Sequence, residues 1–528
     1  MDHPVEKLGT VDALIDRFGK ARSRRANWED MWRDAYDYTM PAKNLWVERT
    51  KGNFRRRKIF DSTAVNGVPT FATRIMAALT PSWTNWAKLE LGAAVDDDAE
   101  LGLDPSQWPD YAGMTALEAV EEIGETLFHY LHHSNFASQA FEAYQDLAVS
   151  TASIHMDWRD GGFVFTAVPL SELFLEEGPN GSVETQWRKL KVPARNIAQT
   201  WLGAEVAGEL AGLVERAPDT EVDIIEGVVH VPPKRPGDDP EYWLVVMDET
   251  RKTMLLASPH GESSPYITAP WSRTPGEIYG RGPVISALAD IMTANKMMEH
   301  KLIGDAFAVM GLWTGVDDGV WNPHTARLKP GTILPVASND GTNPSIRPLP
   351  LGGAPQIVDV DLEALRRNIE KQLFSNPLGD IQDAPVRTLG ENMMRMRDVL
   401  EKAGASFSLL EWEWAAKIVK RGAFLLAREG IIPPLRIDGQ DVAIKFSSPL
   451  AQARDAQELT SIVQYAQTMG AVAPMEAPFA FKTEEVSDYV REKTGLPERL
   501  FRTQEEIQEA MAQMAAMQGG AGGQQQPV

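Results

Sequence analysis

Two long helical patterns bracket a stretch dense in glycine and proline, and that order constrains the fold more than any other feature of the chain. The first helix is predicted to open at Gly282-Pro283, with proline at the first helical position, where its missing N–H is not needed. Val284, Leu288, Ile291, Asn295, Met298 and Leu302 then step by four and three, a heptad-like seam with one polar member. Continued to Met310, the helix is about 40 Å long. The insert from Gly311 to about Pro355 holds short apolar runs such as Thr332-Ile333-Leu334-Pro335-Val336 and is expected to form a small β unit. A second helix follows, with Leu362, Leu365, Ile369 and Leu373 on one side and Glu363, Arg366, Arg367 and Glu370 on the other, closed by Asn376-Pro377.

After a Gly- and Pro-containing loop, Leu378 to Arg387, a very long helical pattern runs from Thr388 to Glu429. Thr388 and Glu391 have capping-box spacing, worth on the order of 1 kcal/mol, and Gly430 with Pro433-Pro434 ends the helix. At about 60 Å, with Leu400, Phe407, Leu410, Trp414, Ile418 and Leu425 as its apolar stripe, it is hard to cover within one small domain and invites neighbouring subunits to share the task. Gly404 and Gly422 are expected to mark kinks.

The region from Val11 to Leu91 reads as mainly helical. Trp28, Met31, Trp32, Ala35 and Tyr36 share one helix face, and Met40-Pro41 ends that helix. Past the basic run Arg55 to Lys58, Asp61 or Ser62 could cap a helix carrying Val65, Val68, Phe71, Ile75 and Leu79. A helix pair spans about Thr115 to Ser150. From Ile154 to about Ile267, β-prone runs such as Phe163–Val168, Val228–Val231 and Tyr242–Val246 alternate with Pro and Gly turns. A strand is expected at Val442–Phe446, then helices over Asp455–Met469, Glu484–Thr494 and Gln504–Met517, and a disordered Gly- and Gln-rich tail. The Met511, Met514, Met517 stripe reads as a soft packing edge.

With 528 residues, 43% apolar and 24% charged, the chain has the composition of a soluble globular protein with several packed regions. It has no apolar run long enough to span a membrane and no secretory signal in its first ten residues, so synthesis in a cytoplasm is expected. Having no cysteine, it cannot use disulfides or thiolate chemistry. A formal charge of -22 argues against a protein that grips nucleic acid over its whole surface, because neutralising phosphates takes an excess of Lys and Arg. It suits a conduit better than a clamp, since a duplex that must slide is slowed by each attraction.

Catalytic motifs are missing: no G-x-x-x-x-G-K-[ST], no H-E-x-x-H and no G-x-S-x-G. Gly280-Arg281-Gly282 begins a dinucleotide-like pattern but has Ile285 where the third glycine belongs. His129, His132 and His133 have helical spacing compatible with a metal but no acidic partner at zinc spacing, so a packed or solvated role is expected. Asp96 to Asp98 and Asp317-Asp318 read as charged loops. No cofactor, metal or enzymatic activity is expected.

Several segments, in this order, resemble the podovirus-type head-to-tail connector, or portal, family. They are Trp32 to Pro41; Ile59-Phe60-Asp61-Ser62-Thr63 and the helix running on to Pro81-Ser82-Trp83-Thr84-Asn85-Trp86; and Tyr279-Gly280-Arg281-Gly282-Pro283 with Ala287-Leu288-Ala289-Asp290-Ile291 and Asn295. The resemblance implies a predominantly helical α+β fold with wing, stem, clip and crown, and a dodecameric ring around a DNA channel. On it, residues 1–278 form the wing (helical to 150, mixed α+β from 151), 279–310 and 358–376 the stem helices, 311–357 the clip and 377–387 the tunnel loop. The long helix is 388–430, a wing strand return 431–450, the crown 451–517 and a disordered tail 518–528, with no long barrel beyond Met517. Gln382, Asp383 and Arg387 are the candidates to face DNA, Arg327, Lys329 and Arg347 to meet the clip's partner or DNA, and Leu288, Ile291, Met298, Leu302, Leu365 and Ile369 to pack stem subunits. For each charged or polar candidate an ordinary solvated loop is the competing account.

The implied partners are further copies of the chain, the major capsid protein, a scaffolding protein, the terminase large subunit, a tail adaptor and double-stranded DNA, with no membrane. The implied location is the portal vertex of a virion assembled in host cytoplasm, with ATP burned by a separate motor. Two rivals predict differently. Another tail or scaffold component with long helices would not close into a ring, and a metal-dependent hydrolase or nuclease would lose DNA cleavage on Asp96→Ala or Asp317→Ala.

Overall fold

The computed structural model describes residues 8–43, 59–92, 107–111, 114–178, 181–232, 241–310, 312–315, 346–349, 355–375, 404–434 and 442–446, with isolated helical residues between 459 and 489. Helix α1 (Val11–Thr39) is capped by Thr10, whose side chain accepts from the Ala13 N–H. Then come α2 (Thr63–Leu79), strand β1 (Ala87–Leu91), α3 (Ala116–His132) and α4 (Phe136–Val149). Thr115 and Glu118 close a reciprocal capping box on α3. Strands β2 (Thr151–Arg159), β3 (Gly162–Ala167), β4 (Leu173–Glu177) and β5 (Val183–Pro193) follow, then α5 (Gly208–Arg216) and strands β6 (Glu221–Val231), β7 (Glu241–Asp248), β8 (Thr253–Gly261) and β9 (Tyr266–Pro270).

Two antiparallel sheets result, a three-stranded one ordered β3-β2-β9 and a five-stranded one ordered β4-β5-β6-β7-β8. The five-stranded sheet separates its side chains by the two-residue period of a strand. Ile225, Val229, Trp243, Val245 and Met247 pack with Leu14, Phe18 and Ala21 of α1, whereas Ile224, Val228, Leu244 and Val246 face the main core. Between the sheets runs a polar seam. Tyr266 donates to Glu226, the Trp201 indole donates to the same carboxylate at 2.7 Å, and the Thr268 hydroxyl donates to Gln186 at 2.9 Å.

Helix α1 spans both cores. Its first half lies on the sheet, and Trp32, Ala35 and Tyr36 of its second half enter the main core with α2, α3 and α4. Midway, the buried Arg25 donates to the carbonyls of Ser171 and Leu173, both at 2.9 Å, and its guanidinium lies 3.6 Å from the centre of the Phe174 ring. Trp32 is buried and Trp28 half-buried against the same core, the two rings stacking at 5.7 Å.

Beyond the sheets, α6 (Pro283–Met310) and α7 (Pro355–Gln372) pack on each other, joined by an insert whose ends pair as antiparallel strands β10 (Leu312–Gly315) and β11 (Ile346–Leu349). The long helix is described from Gly404 as α8 (Gly404–Leu410), a π-helical turn over Glu411–Ala415, and α9 (Ala416–Arg428). It departs from the kink expected at Gly422. The irregularity is the π turn, and Gly422 sits inside regular helix, where an added Cβ would lie 3.4 to 3.5 Å from Leu127, Met156 and Phe163. Strand β12 (Val442–Phe446) forms as expected and pairs with β1, which lies in a region read as mainly helical. There Trp86, Ala87 and Leu89 are buried, and this long-range pairing outweighs local propensity.

Candidate functional site: the root of the paired helices

The segments singled out in the sequence meet where α6 and α7 join the body. The Tyr279–Pro283 run is a docking seam rather than a phosphate loop. The Tyr279 ring lies 5.0 Å from Trp32 and its hydroxyl accepts from the Leu175 N–H at 3.0 Å. Gly280 N–H donates to the Thr151 hydroxyl at 3.1 Å, and Gly282 N–H to the Val149 carbonyl at 2.9 Å. Both glycines are required by close approach. A Cβ on Gly280 would lie 2.7 Å from the Ser150 carbonyl oxygen, and one on Gly282 2.1 Å from that of Ala148. Nearby, the Tyr36 hydroxyl donates to Asp146 at 2.6 Å, tying α1 to α4.

The second meeting point joins Asp61 to Asn295. Asn295, the polar member of the α6 seam, is buried and accepts through its side-chain oxygen from the N–H groups of Phe60 (2.7 Å) and Asp61 (3.1 Å). Of the two capping candidates Asp61 does the work. Its Oδ1 accepts from the Thr63 N–H at 3.0 Å, whereas Ser62 makes no capping bond. Its Oδ2 accepts from Arg366 Nε of α7 at 2.8 Å. Burial alone would raise this carboxyl's pKa, but the hydrogen bonds from Thr63 and Arg366 outweigh it and hold the value below the usual carboxylate range. One loop thus fixes α2, α6 and α7 together, and Gln372 of α7 donates to Asp290 of α6 at 3.2 Å.

The six residues named for stem packing separate by position. Ile291 and Ile369 are buried within the chain itself, Leu288, Met298 and Leu365 are half-buried, and Leu302 is 44% exposed. Further along α6, Ile303 is 46% and Val309 87% exposed. Ile303 lies off the heptad seam, and Val309, seven residues past Leu302, continues the seam beyond the last position read from the sequence. Sequence reasoning missed both and placed Arg366 on a merely polar face. Gln382, Asp383, Arg387, Arg327 and Lys329 lie outside the described residues, as do the runs at 55–58, 96–98 and 317–318, Thr388 and Glu391, and the methionine stripe. Arg347 stands on β11 opposite Thr314.

His129 and His133 place their rings 4.3 Å apart at the end of α3, and His132 meets the Asn85 side chain at 3.1 Å. Among the described residues no group of three or more His, Asp or Glu is placed to hold a metal, and no helix is long and apolar enough to cross a membrane. A separate buried cluster sits under α9. There Arg421 is fully buried, donates to the Ser263 carbonyl at 2.7 Å, and neighbours Asp157, His155 and His260. Burial, then the Arg421 charge, pushes the His260 imidazole down to about 4.

The chain is 21% identical to the probable portal protein of Bordetella phage BPP-1, an alignment covering 96% of this chain and 92% of that one. It is also 21% identical to the portal protein of Salmonella phage epsilon15, over 97% and 93% of the two chains. The family model described as bacteriophage head to tail connecting protein matches residues 11–501. A connecting protein is a structural component, in agreement with the expectation of no catalytic role. The segments that converge on the root of α6 and α7 are those that carried the resemblance, and the chain belongs to the bacteriophage head-to-tail connecting protein family.

Proposed function

We propose that this chain is the portal subunit of a virion, closing with further copies into a dodecameric ring at one capsid vertex through which double-stranded DNA enters during packaging and leaves during ejection. The observation that carries the reading is the outer part of α6, where Leu302, Ile303 and Val309 are exposed on a helix whose inner part is buried. Apolar side chains on a long helix gain most when a neighbouring copy covers them, at roughly 25 cal/mol per Å² removed from water. The near full-length similarity to two portal proteins supports the same reading.

In this arrangement α6 and α7 are the stem, residues 311–357 the clip, 377–387 the tunnel loop, 388–430 the long wing helix, 431–450 the wing strand return and 451–517 the crown, with the wing before residue 279. The clip docks the terminase large subunit during filling and a tail adaptor afterwards, with Arg327, Lys329 and Arg347 on that surface. The wing meets the major capsid protein and a scaffolding protein. Gln382, Asp383 and Arg387 face the DNA, and the net charge of -22 keeps the passing duplex loosely held. Electron microscopy of the purified chain tests the proposal. Annuli of near-twelvefold symmetry with a through-hole are expected, and compact monomers or open chains that never close would overturn it.

A further inference from the structure

The chain leaves α7 through a residue in an unusual conformation. Phe374 has φ +52°, in the left-handed region that favours glycine. The turn has the hydrogen bonding of a left-handed helix end, with the Ser375 N–H donating to the Glu370 carbonyl at 2.8 Å and the Phe374 N–H to that of Lys371 at 3.3 Å. Asp160 and Lys252, also at φ 52°, are polar and sit in exposed hairpin turns. Phe374 is neither. A bulky aromatic in this conformation needs a reason, and its surroundings give one.

Helix α2 offers a seat along one face, at positions i, i+4 and i+7. Gly67 takes Leu373, whose Cδ1 lies 2.7 Å from where a glycine Cβ would be. Phe71 meets the Phe374 ring at 6.4 Å, and Arg74 donates to the Phe374 carbonyl. Trp271 lies against the same group, 5.2 Å from Phe71 and 6.0 Å from Phe374. Its backbone N–H is fixed to the Ser150 carbonyl at 3.0 Å, and its ring is buried. The indole has a third aromatic neighbour, Phe407 of α8, at 6.5 Å. The turn just past α7 and the first turn of α8 therefore meet on one tryptophan.

We propose that Phe374 and Phe407, both held against Trp271, form an aromatic clamp of positioning residues that fixes where the chain departs from α7 and where it returns as α8. The clamp ties the two points that bound residues 376–403 to the core at Phe71 of α2 and at Trp271. Its consequence for DNA rests on the portal reading, in which that span holds the tunnel loop. The left-handed turn at Phe374 exists to swing its ring onto Phe71 and Trp271.

The full chain offers a clean reporter because it has no cysteine. A nitroxide on Asp383→Cys reads local motion by electron paramagnetic resonance. Phe374→Ala and Phe407→Leu should each shorten the label's correlation time by about twofold or more, with the melting temperature of the body little changed. The double variant should add little beyond either single one. Phe374→Gly, which accepts the positive φ but lacks the ring, should match Phe374→Ala, and Phe374→Tyr should restore the unsubstituted spectrum. Phe136→Leu, at an aromatic pair 5.1 Å from Phe165, should leave the label unmoved. An unchanged label in Phe374→Ala and Phe407→Leu would overturn the clamp, as would equal mobilisation by Phe136→Leu. The label comparison is read whether or not the chain closes into annuli, so failure of the ring reading and failure of the clamp are told apart.

Discussion

The inner and outer parts of α6 are one continuous helix with opposite fates. Near its start Val284, Ala287, Ile291 and Ala294 are each 4% exposed or less, and Asn295 is satisfied by two backbone N–H groups. Past Lys301 the apolar side chains Leu302, Ile303 and Val309 lie open. The inner part belongs to the fold of a single chain, whereas in the outer part Leu302, Ile303 and Val309 stay 44% to 87% exposed. The difference divides the heptad-like seam into an end that folds with its own chain and an end that the proposed ring would cover.

The comparison can be broken most severely at the inner end. Gly282→Ala forces a Cβ against the Ala148 carbonyl, with no flexible group to yield, and should cost about 3 kcal/mol or more, read by chemical denaturation. Arg366→Ala should cost about 2 kcal/mol, because it strands the buried Asp61 carboxylate, with part of the loss spared by the partial exposure of Arg366 itself. Asp61→Asn in the same background should recover part of it, as a double-mutant cycle would show.

A third test moves to the cluster under α9 and asks whether the body responds to acid independently of α6. His260 and His155 both have pKa values lowered chiefly by burial, so the unfolded chain binds more protons than the folded one between about 6.5 and, for His260, about 4. Stability should fall as pH drops through that window, by on the order of 2 kcal/mol, and His260→Gln should flatten the melting-temperature profile there. The smallest effect on the chain's own stability belongs to the outer part of α6. Leu302→Ser with Val309→Ser should change the unfolding free energy of the unassembled chain by no more than about 0.5 kcal/mol, yet lower the fraction closed into rings by sedimentation. A large loss of chain stability there would erase the distinction between the two ends.

Much of this was legible in the residues. The proline start of α6, the apolar side of α7 and the strand at Val442 follow from local rules, as does the burial of Phe407, Leu410, Trp414, Ile418 and Leu425. What local rules miss is pairing across long sequence separations. Strand β1 exists because β12 returns to it, and within the π turn Trp414 lies 5.6 Å from Tyr144 ring to ring while Glu413 pairs with Arg273 at 2.8 Å. The Asp61–Arg366 pair joins residues 305 positions apart, and no periodicity can announce it. Gly280 and Gly282 stood out in the sequence, but only the fold shows that backbone crowding, not a phosphate, is what demands them.

The pairing of β10 with β11 bears on how such a molecule can change. Gly315 and Ile346 are register partners, so the thirty residues between them begin and end about 5 Å apart. A segment held by so narrow a neck can lengthen, shorten or be exchanged for another with no adjustment in α6, α7 or the core beneath them. In the portal reading proposed above, where this segment docks a partner, that partner can diverge while the body that carries the segment stays as it is.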